Sequence, residues 1–312
     1  MIVLGTRGSD LARAQTALVE AALFACAPDT KVTTKIITTR GDDKSGRSEE
    51  VADRHAGRKG LFTAEIERAL LERAIDVAIH SAKDLPSDMT AGLEVCAALP
   101  RAQVEDVLIA RTAADLNELK PDAIVATGSV RRQHQLRFLR PDLKLVDLRG
   151  NVPTRLRKFT SNPWGAIILA RAGLERLGFD CAQGTIVFEG ETLRVVSLST
   201  DDFLPAGGQG IVALQIRSDD AETRGVITRL NHPETLLCLR AERELLRLLE
   251  GDCGTPVGVL ATIANEALHL RAQVFSDPDS EPKTGKVESP MAGLQPESLA
   301  AALFKQMYGS KK

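Results

Sequence analysis

Short apolar strands that run into turns of small or polar residues, most of them followed by a helix, are the feature of this sequence that most constrains its fold. Such strands are predicted at residues 2–4, 75–79, 123–127 and 166–170. Alternating strands and helices are typical of α/β proteins, in which ligands bind beyond the carboxyl ends of the strands. The pattern recurs in two parts of the chain and predicts two similar doubly wound domains with a cleft between them.

The length of the chain, 312 residues of which 43% are apolar, suggests two or three domains. We expect the first domain at residues 1–99 and 200–217, with the chain returning to it through the glycine-rich segment 204–210. The second domain is expected at residues 100–199, and a small C-terminal α+β domain at residues 222–312.

The third domain is predicted to contain two helices and two strands, at residues 233–249, 296–308, 258–264 and 268–275. Two polar stretches in it are predicted to face solvent. Residues 276–290 show no apolar period and are interpreted as an exposed loop. Glu242, Arg243 and Glu244 are interpreted as the solvated face of the first of these helices.

Composition and cysteine spacing exclude several classes of protein. The net charge of −2 gives the chain as a whole no polyanion-binding character. Its five cysteines are odd in number, widely spaced and free of CxxC pairs, which argues against a disulfide framework or a zinc site. We expect no metal, no signal peptide and no membrane helix, and therefore a cytoplasmic protein.

Two predicted strand-to-helix corners carry residues suited to binding anions. Arg7 and the predicted N-cap Ser9 stand at the first corner, where a helix N-terminus offers free N–H groups. Ser129 is the predicted N-cap at the second corner, and Arg131 and Arg132 fall in the first helical turn. Cations are unfavourable in that turn unless an anion is bound there.

The second corner opens a strongly basic segment. Residues 131–158 contain nine Lys or Arg and two Asp, a local balance of +7. Such a segment indicates an anionic partner. Nucleic acid is disfavoured because aromatic residues, which would stack on bases, are only 4% of the chain. Separate arginines at strand and helix ends suit carboxylates, which a guanidinium binds through two parallel hydrogen bonds.

Two further features suggest chemistry. Lys83 and Asp84 follow the strand at residues 75–79, where a carboxylate beside an ammonium group remains ionised. Cys253 lies in a glycine- and proline-rich loop between a helix and a strand, which could offer its sulfur to a cleft. A small residue in a turn would be the ordinary interpretation of Cys253, unless the rest of the chain supplies a site for a thiol.

The chain contains the motifs TRGS at residues 6–9, TRGD at 39–42, KGLF at 59–62 and HSAKDLP at 80–86. In this order and spacing, the four motifs resemble those of the hydroxymethylbilane synthase (porphobilinogen deaminase) family of tetrapyrrole, porphyrin and heme biosynthesis. The similarity extends over nearly the whole chain. It implies two domains of the periplasmic-binding-protein type, a transferase activity and, by family default, a monomer.

The resemblance also implies roles for individual residues. Cys253 would attach a dipyrromethane cofactor, built from two substrate units, through a thioether. Asp84 would be the catalytic carboxylate for the deaminating polymerisation of four porphobilinogen molecules and their release as linear hydroxymethylbilane. The cofactor-binding residues would be Lys83, Ser129, Arg131, Arg132 and Arg155. The substrate-binding residues would be Arg7, Ser9, Ser81, Arg149, Arg176, Thr127 and Lys59.

Three other functions fit parts of the sequence. A solute-binding protein would share the two-domain cleft but would leave Cys253 and the third domain unexplained. A thiol hydrolase or acyltransferase would need a histidine base, and none of the five histidines stands in a motif with a cysteine. A nucleic-acid binder would show steep salt dependence. A covalent two-pyrrole adduct would distinguish the synthase from all three.

Overall fold

The computed structural model describes residues 1–38, 63–250, 255–277 and 280–309. The strands are β1 (Ile2–Thr6), β2 (Val32–Ile36), β3 (Val77–Ser81), β4 (Leu93–Ala98), β5 (Asp106–Ala110), β6 (Ile124–Ala126), β7 (Lys144–Val146), β8 (Ala166–Ala170), β9 (Thr185–Phe188), β10 (Glu191–Ser197), β11 (Val212–Arg217), β12 (Val257–Ala264), β13 (Ala267–Val274) and β14 (Lys283–Pro290). The helices are α1 (Asp10–Cys26), α2 (Ala64–Leu71), α3 (Val130–Leu139), α4 (Val152–Thr160), α5 (Arg171–Arg176), α6 (Ala221–Ile227), α7 (Pro233–Leu248) and α8 (Pro296–Tyr308).

The first sheet has the strand order β2-β1-β3-β11-β4. Strand β1 pairs in parallel with β2 and β3, whereas β11 is antiparallel to both β3 and β4. Its core is a cluster of aliphatic side chains from the strands and α1, including Leu4, Val19 and Leu214. The insertion of β11 means that the chain returns to this sheet after completing the second one.

The second sheet has the order β7-β6-β8-β5-β10-β9. Strand β6 is parallel to β7 and β8, while β5 runs antiparallel to β8 and β10. Both sheets are therefore mixed rather than wholly parallel. The expected α/β class is confirmed. Among the described residues, no helix combines the length and apolar character needed to cross a membrane.

The third sheet is an antiparallel β12-β13-β14 meander, packed against α7 and α8. The predicted exposed loop at residues 276–290 is partly wrong, because residues 283–290 form the edge strand β14. This strand carries little apolar pattern: Val287 packs on the core, and Gly285 lies under α8. A Cβ on Gly285 would stand 2.7 Å from Leu303. The strand is held in the sheet by the close approach of its backbone to α8 and not by burial of its side chains.

Helix boundaries follow the capping signals in the sequence. The Ser9 hydroxyl accepts a hydrogen bond from the N–H of Ala12, and that of Ser129 accepts one from Arg132. Helix α8 spans residues 296–308 as predicted. The prediction that Glu242 faces solvent is wrong, since its side chain is completely buried and pairs with Arg101.

Candidate functional site

A single turn of 3-10 helix after β3 presents Lys83 and Asp84, both half-buried, at the end of the first sheet. The glycine-rich segment lies directly against this turn. Gly208 has φ +74°, and a Cβ there would lie 2.9 Å from the carbonyl carbon of Ala82 and 3.0 Å from the nitrogen of Lys83. Only glycine accommodates both this backbone conformation and this approach.

Arg131 and Arg132, in the first turn of α3, share one buried carboxylate. Nη2 of Arg131 lies 2.8 Å from Oδ2 of Asp106, and Nη2 of Arg132 lies 2.6 Å from Oδ1. Although burial alone would raise it, the two guanidinium groups hold the pKa of Asp106 well below its usual range. Gln209 of the glycine-rich segment donates to Asp106 as well, at 3.0 Å.

The pKa shifts of Lys83 and Arg155 show that both side chains share the field of this cluster. Burial lowers the pKa of Lys83 to about 8; Arg132 and Arg155 also lower it, while Asp84 and Asp106 oppose the shift. Burial and Arg132 lower the pKa of Arg155 to about 10, again against Asp84.

The cations of this cluster outnumber its carboxylates. Lys83, Arg131, Arg132 and Arg155 carry four positive charges, and Asp84 and Asp106 carry two negative ones; Asp147, which also acts on Arg155, is paired with Arg149. The resulting excess of positive charge favours an anionic ligand.

The first-sheet side of the site is built on α1 and β3. Nε2 of Gln15 donates to the hydroxyl of Ser81 at 2.7 Å, and Ser9 caps α1. Arg7 lies close enough to His80 to lower its pKa. Burial is the larger cause and brings the pKa of His80 to about 4, despite a hydrogen bond with Gln215. His80 is therefore neutral at pH 7.

The remaining arginines differ in what they contact. Arg149 is exposed and pairs with Asp147 at 2.6 Å. Arg155 donates through Nε to the carbonyl of Gly150 at 2.7 Å, and Arg176 donates to that of Gly210 at 2.7 Å. Within the described part of the chain, neither Arg155 nor Arg176 has a carboxylate within 4.0 Å. Thr127 is buried, and its hydroxyl accepts from the N–H of Ser129 at 3.3 Å.

Arg176 lies where the two halves of the chain meet. It ends helix α5, and a Cβ on Gly173 of the same helix would lie 3.9 Å from Leu11 of α1. Helix α1 follows a strand of the first sheet, β1, and α5 follows a strand of the second sheet, β8. Arg176 is therefore at their boundary, together with the Gly210 carbonyl that it contacts.

Lys59, Cys253 and the TRGD and KGLF motifs lie outside the described residues. The elements that flank residue 253 are described, and both contact segments of the site. Arg243 of α7 donates to the carbonyl of Pro86 at 2.8 Å, two residues beyond Asp84. The N–H of Val259, in β12, donates to the carbonyl of Pro205 at 2.9 Å.

Sequence reasoning missed Asp106 and Gln209, which hold the arginine pair in place. Asp106 had a signal in the sequence: it opens an apolar run, and a charge in a buried strand is rare unless it is paired. Gln209 and Gly210 match a Gln-Gly pair of the family that the sequence resembles, and the glycines around Gln209 indicate close packing, but neither signal identifies its partner.

The chain is similar to several known proteins. Superposed on the methionine-binding protein MetQ, the chain gives a TM-score of 0.43 at 12% identity, covering 75% of this chain and 91% of MetQ. A protein named porphobilinogen deaminase from Syntrophobacter fumaroxidans is 42% identical over 277 residues, covering 88% of this chain and 84% of its own. One of the same name from Syntrophomonas wolfei is 40% identical over 305 residues, covering 97% and 95%.

Two family models match almost the entire chain. The model described as "Porphobilinogen deaminase, dipyromethane cofactor binding domain" matches residues 2–225. The model described as "Porphobilinogen deaminase, C-terminal domain" matches residues 236–309. With matches to both domains and relatives at about 40% identity, the chain belongs to the porphobilinogen deaminase family.

Proposed function

We propose that this chain is a hydroxymethylbilane synthase that uses Asp84 as its catalytic carboxylate and Cys253 as the attachment point of dipyrromethane. It joins four porphobilinogen molecules head to tail with loss of ammonia, and water releases linear hydroxymethylbilane. The observation that carries the proposal is the position of Asp84 beside a partly buried excess of positive charge, in a chain that matches the family over nearly its full length.

The chemistry of this cluster fits the proposed cofactor and substrate. Each pyrrole ring of both carries two carboxylates. The Nε atoms of Arg131 and Arg132 are buried and have no hydrogen-bond partner among the described residues. Buried donors of this kind are costly unless a ligand or water satisfies them. When bound, dipyrromethane supplies the pyrrole carbon to which the first substrate ring is joined.

Asp84 stabilises the positive charge that develops during deamination. The substrate's aminomethyl group reacts in its protonated form: as the C–N bond breaks, neutral ammonia leaves and the positive charge of the ammonium group passes to the pyrrole ring. A carboxylate that accepts a hydrogen bond from the pyrrole N–H lowers the energy of that cation. After the new C–C bond forms, the attacked ring carbon loses its proton. Lys83, next to Asp84, binds a substituent carboxylate.

The other site residues hold the acetate and propionate groups. Lys83, Ser129, Arg131, Arg132 and Arg155 bind the cofactor, and Arg7, Ser9, Ser81, Thr127, Arg149, Arg176 and Lys59 bind substrate rings. Arg155 and Arg176 donate to backbone carbonyls and form no ion pair within 4.0 Å among the described residues, so both guanidinium groups can pair with a substrate carboxylate. Arg149 would exchange Asp147 for a substrate carboxylate, at little cost because that pair is exposed.

The contacts of α7 and β12, the elements on either side of residue 253, support the proposal that Cys253 holds the cofactor in this site. Helix α7 contacts Pro86, two residues beyond Asp84, and β12 contacts Pro205, three residues before Gly208, so the elements on both sides of residue 253 contact segments that lead to the site. A thiolate is a soft nucleophile that forms a stable thioether with an electrophilic methylene-pyrrole.

We also propose a monomeric, cytoplasmic enzyme with domain boundaries as expected from the sequence. The described cysteines Cys26, Cys96, Cys181 and Cys238 are free, in keeping with a reducing compartment. The strands of the first sheet fall within residues 1–99 and 200–217, and those of the second within 100–199. The third sheet falls within 222–312.

Intact mass and turnover of the purified protein test the proposal together. The expected mass exceeds that of the chain by two porphobilinogen units less their ammonia, and added porphobilinogen is consumed with release of ammonia. A solute-binding protein would bind a ligand without either change. An unmodified mass together with no release of ammonia would overturn the proposal.

A further inference from the structure

A buried glutamine, Gln135, lies one helical turn after Arg131 on α3 and contacts its guanidinium group. Oε1 of Gln135 accepts from Nη1 of Arg131 at 2.9 Å. Its Nε2 donates to the carbonyl of Leu204 at 3.0 Å and to Oε1 of Gln273 at 2.9 Å. The amide thus uses its oxygen and both of its N–H groups. The reversed amide would direct N–H groups at the guanidinium, so only one orientation fits.

Gln273 belongs to β13 of the third sheet, and the surrounding contacts make this junction tight. The ring of Phe275, two residues further on, lies 5.7 Å from that of His134 on α3. On the neighbouring strand, a Cβ on Gly258 would stand 2.6 Å from Cβ of Leu204 and 3.2 Å from Nε2 of Gln135. The third sheet therefore packs directly on Gln135 and on the segment that contacts Arg131.

The Leu204 carbonyl completes the connection. It accepts from Nη1 of Arg131 at 2.6 Å as well as from Gln135. The next carbonyl, that of Pro205, accepts from the N–H of Val259 in β12. Strand β12 is the first element after the loop that contains residue 253. Two adjacent residues of the glycine-rich segment thus link β12 to Arg131: Pro205 accepts from β12, and Leu204 accepts from the guanidinium of Arg131.

We propose that Gln135 is a positioning residue, whose amide fixes the orientation of the Arg131 guanidinium. Through its hydrogen bond to Gln135, Gln273 links the position of the third sheet to that orientation. This inference rests on the proposed function, in which residue 253 anchors the cofactor and Arg131 binds one of its carboxylates. The spacing between anchor and guanidinium must stay constant while the product chain grows. A fully bonded amide between α3 and β13 provides that constancy, because it excludes rotation of the guanidinium.

Substitutions at two positions on the same face of β13 test the coupling. Gln273→Met removes the acceptor of the Gln135 amide at nearly constant volume. Arg271→Met is the matched control, because Arg271 joins the third sheet to Asp201 at 2.7 Å and Thr200 at 2.8 Å without contacting Gln135. Apo protein is incubated with porphobilinogen, and the gain of covalent pyrrole mass is followed by intact mass spectrometry.

We expect Gln273→Met to slow this gain by about tenfold, and Arg271→Met to gain mass at the wild-type rate. Wild-type rates for both variants, or equal slowing of both, would overturn the coupling. If wild-type protein gained no pyrrole mass, the proposed function itself would be contradicted.

A double-mutant comparison separates positioning from general loss of stability. In an Arg131→Lys background, where the forked guanidinium is absent, Gln273→Met should have no further effect on the rate of mass gain. A persistent tenfold effect in that background would show that Gln273 acts otherwise than through Arg131. The comparison remains decisive even if Gln273→Met lowers the melting temperature, because both backgrounds carry the same change.

Discussion

Arg101 and Glu242 lie 141 residues apart and form a two-point ion pair, with Nη1–Oε1 at 2.7 Å and Nη2–Oε2 at 3.2 Å. The Glu242 carboxylate also accepts the N–H of Gly208 at 2.6 Å and that of Ala261 at 2.8 Å. One buried side chain of α7 therefore joins the segment before β5, the glycine-rich segment and β12. Since Gly208 also lies against Lys83, the Arg101–Glu242 pair helps to hold in place the backbone segment on which Lys83 packs.

Replacing Glu242 with Gln should reduce the free energy of unfolding by about 3 kcal/mol or more, because Arg101, whose side chain is only 12% exposed, would lose its counter-ion. Urea denaturation measures the change. Glu244→Gln is the control on the same helix: Glu244 pairs with the half-exposed Arg247, and its loss should cost no more than about 1 kcal/mol. Equal destabilisation by the two substitutions would contradict the role given to Glu242.

Helices and strands could be predicted from the sequence better than the contacts between distant side chains, and Glu242 illustrates the reason. The sequence predicts helix α7 from a leucine-rich run between Pro233 and Gly251, and predicts α1 and α3 from their N-caps Ser9 and Ser129. All of these signals lie within the element or at its ends. The partner of Glu242 comes from 141 residues away. No local pattern distinguishes a carboxylate in water from one buried under another segment.

The candidate site was predictable to a similar extent. Lys83 and Asp84 could be found because they follow a strand of the first sheet. The sharing of Asp106 by Arg131 and Arg132 could not, because it depends on the antiparallel placement of β5 beside β8. Strand β14 was missed because it is an edge strand seated by Gly285 rather than by apolar side chains.

Asp84→Asn should lower turnover of porphobilinogen by at least about 100-fold while the fold and the attached cofactor remain intact. An amide is nearly isosteric with the carboxylate but cannot neutralise the charge of the deaminated ring. Release of ammonia reports turnover, and intact mass reports the cofactor. Asp88→Asn is the nearby exposed control and should retain activity. Substantial turnover by Asp84→Asn would refute the assignment.

We expect the deprotonation of Lys83 to lower the activity of the enzyme at alkaline pH. Its pKa, lowered to about 8 by burial and by Arg132 and Arg155, means that the ammonium is present below pH 8 and lost above it. Carboxylate binding should weaken in the same direction, and kcat/KM should fall by about tenfold between about pH 7 and pH 9.

The variant Lys83→Arg tests the origin of this limit, because a guanidinium remains protonated throughout that range. Its kcat/KM at pH 7 should be lower than in the wild type, since the fork differs in shape from an ammonium group. Its pH profile should nevertheless stay flat up to about pH 9. A variant that retains the fall near pH 8 would assign the titration to another group.

Cys253→Ser should yield a folded protein that carries no covalent pyrrole and has no turnover, because a hydroxyl is a far weaker nucleophile than a thiolate. Cys26→Ser is the matched control: Cys26 is free and half-buried at the end of α1, far along the chain from the third sheet. It should keep the full pyrrole mass. Detection of that mass on Cys253→Ser would place the attachment elsewhere.

Arg155 and Arg176 should act at different stages of chain growth, because they occupy different parts of the site. Arg155 shares the field of Asp84 and Arg132, whereas Arg176 lies at the boundary of α1 and α5 beside Gly210. Arg155→Leu and Arg176→Leu should each slow one step of elongation by about 100-fold, the loss of a charge-assisted hydrogen bond. Mass spectra of the enzyme during turnover should then show a different accumulated intermediate for each variant.

Arg157→Leu is the control, because Arg157 is on the same helix as Arg155 but is paired with Glu189 at the surface. It should leave the distribution of intermediates unchanged. Uniform slowing of every step in both variants would indicate non-specific electrostatic attraction instead.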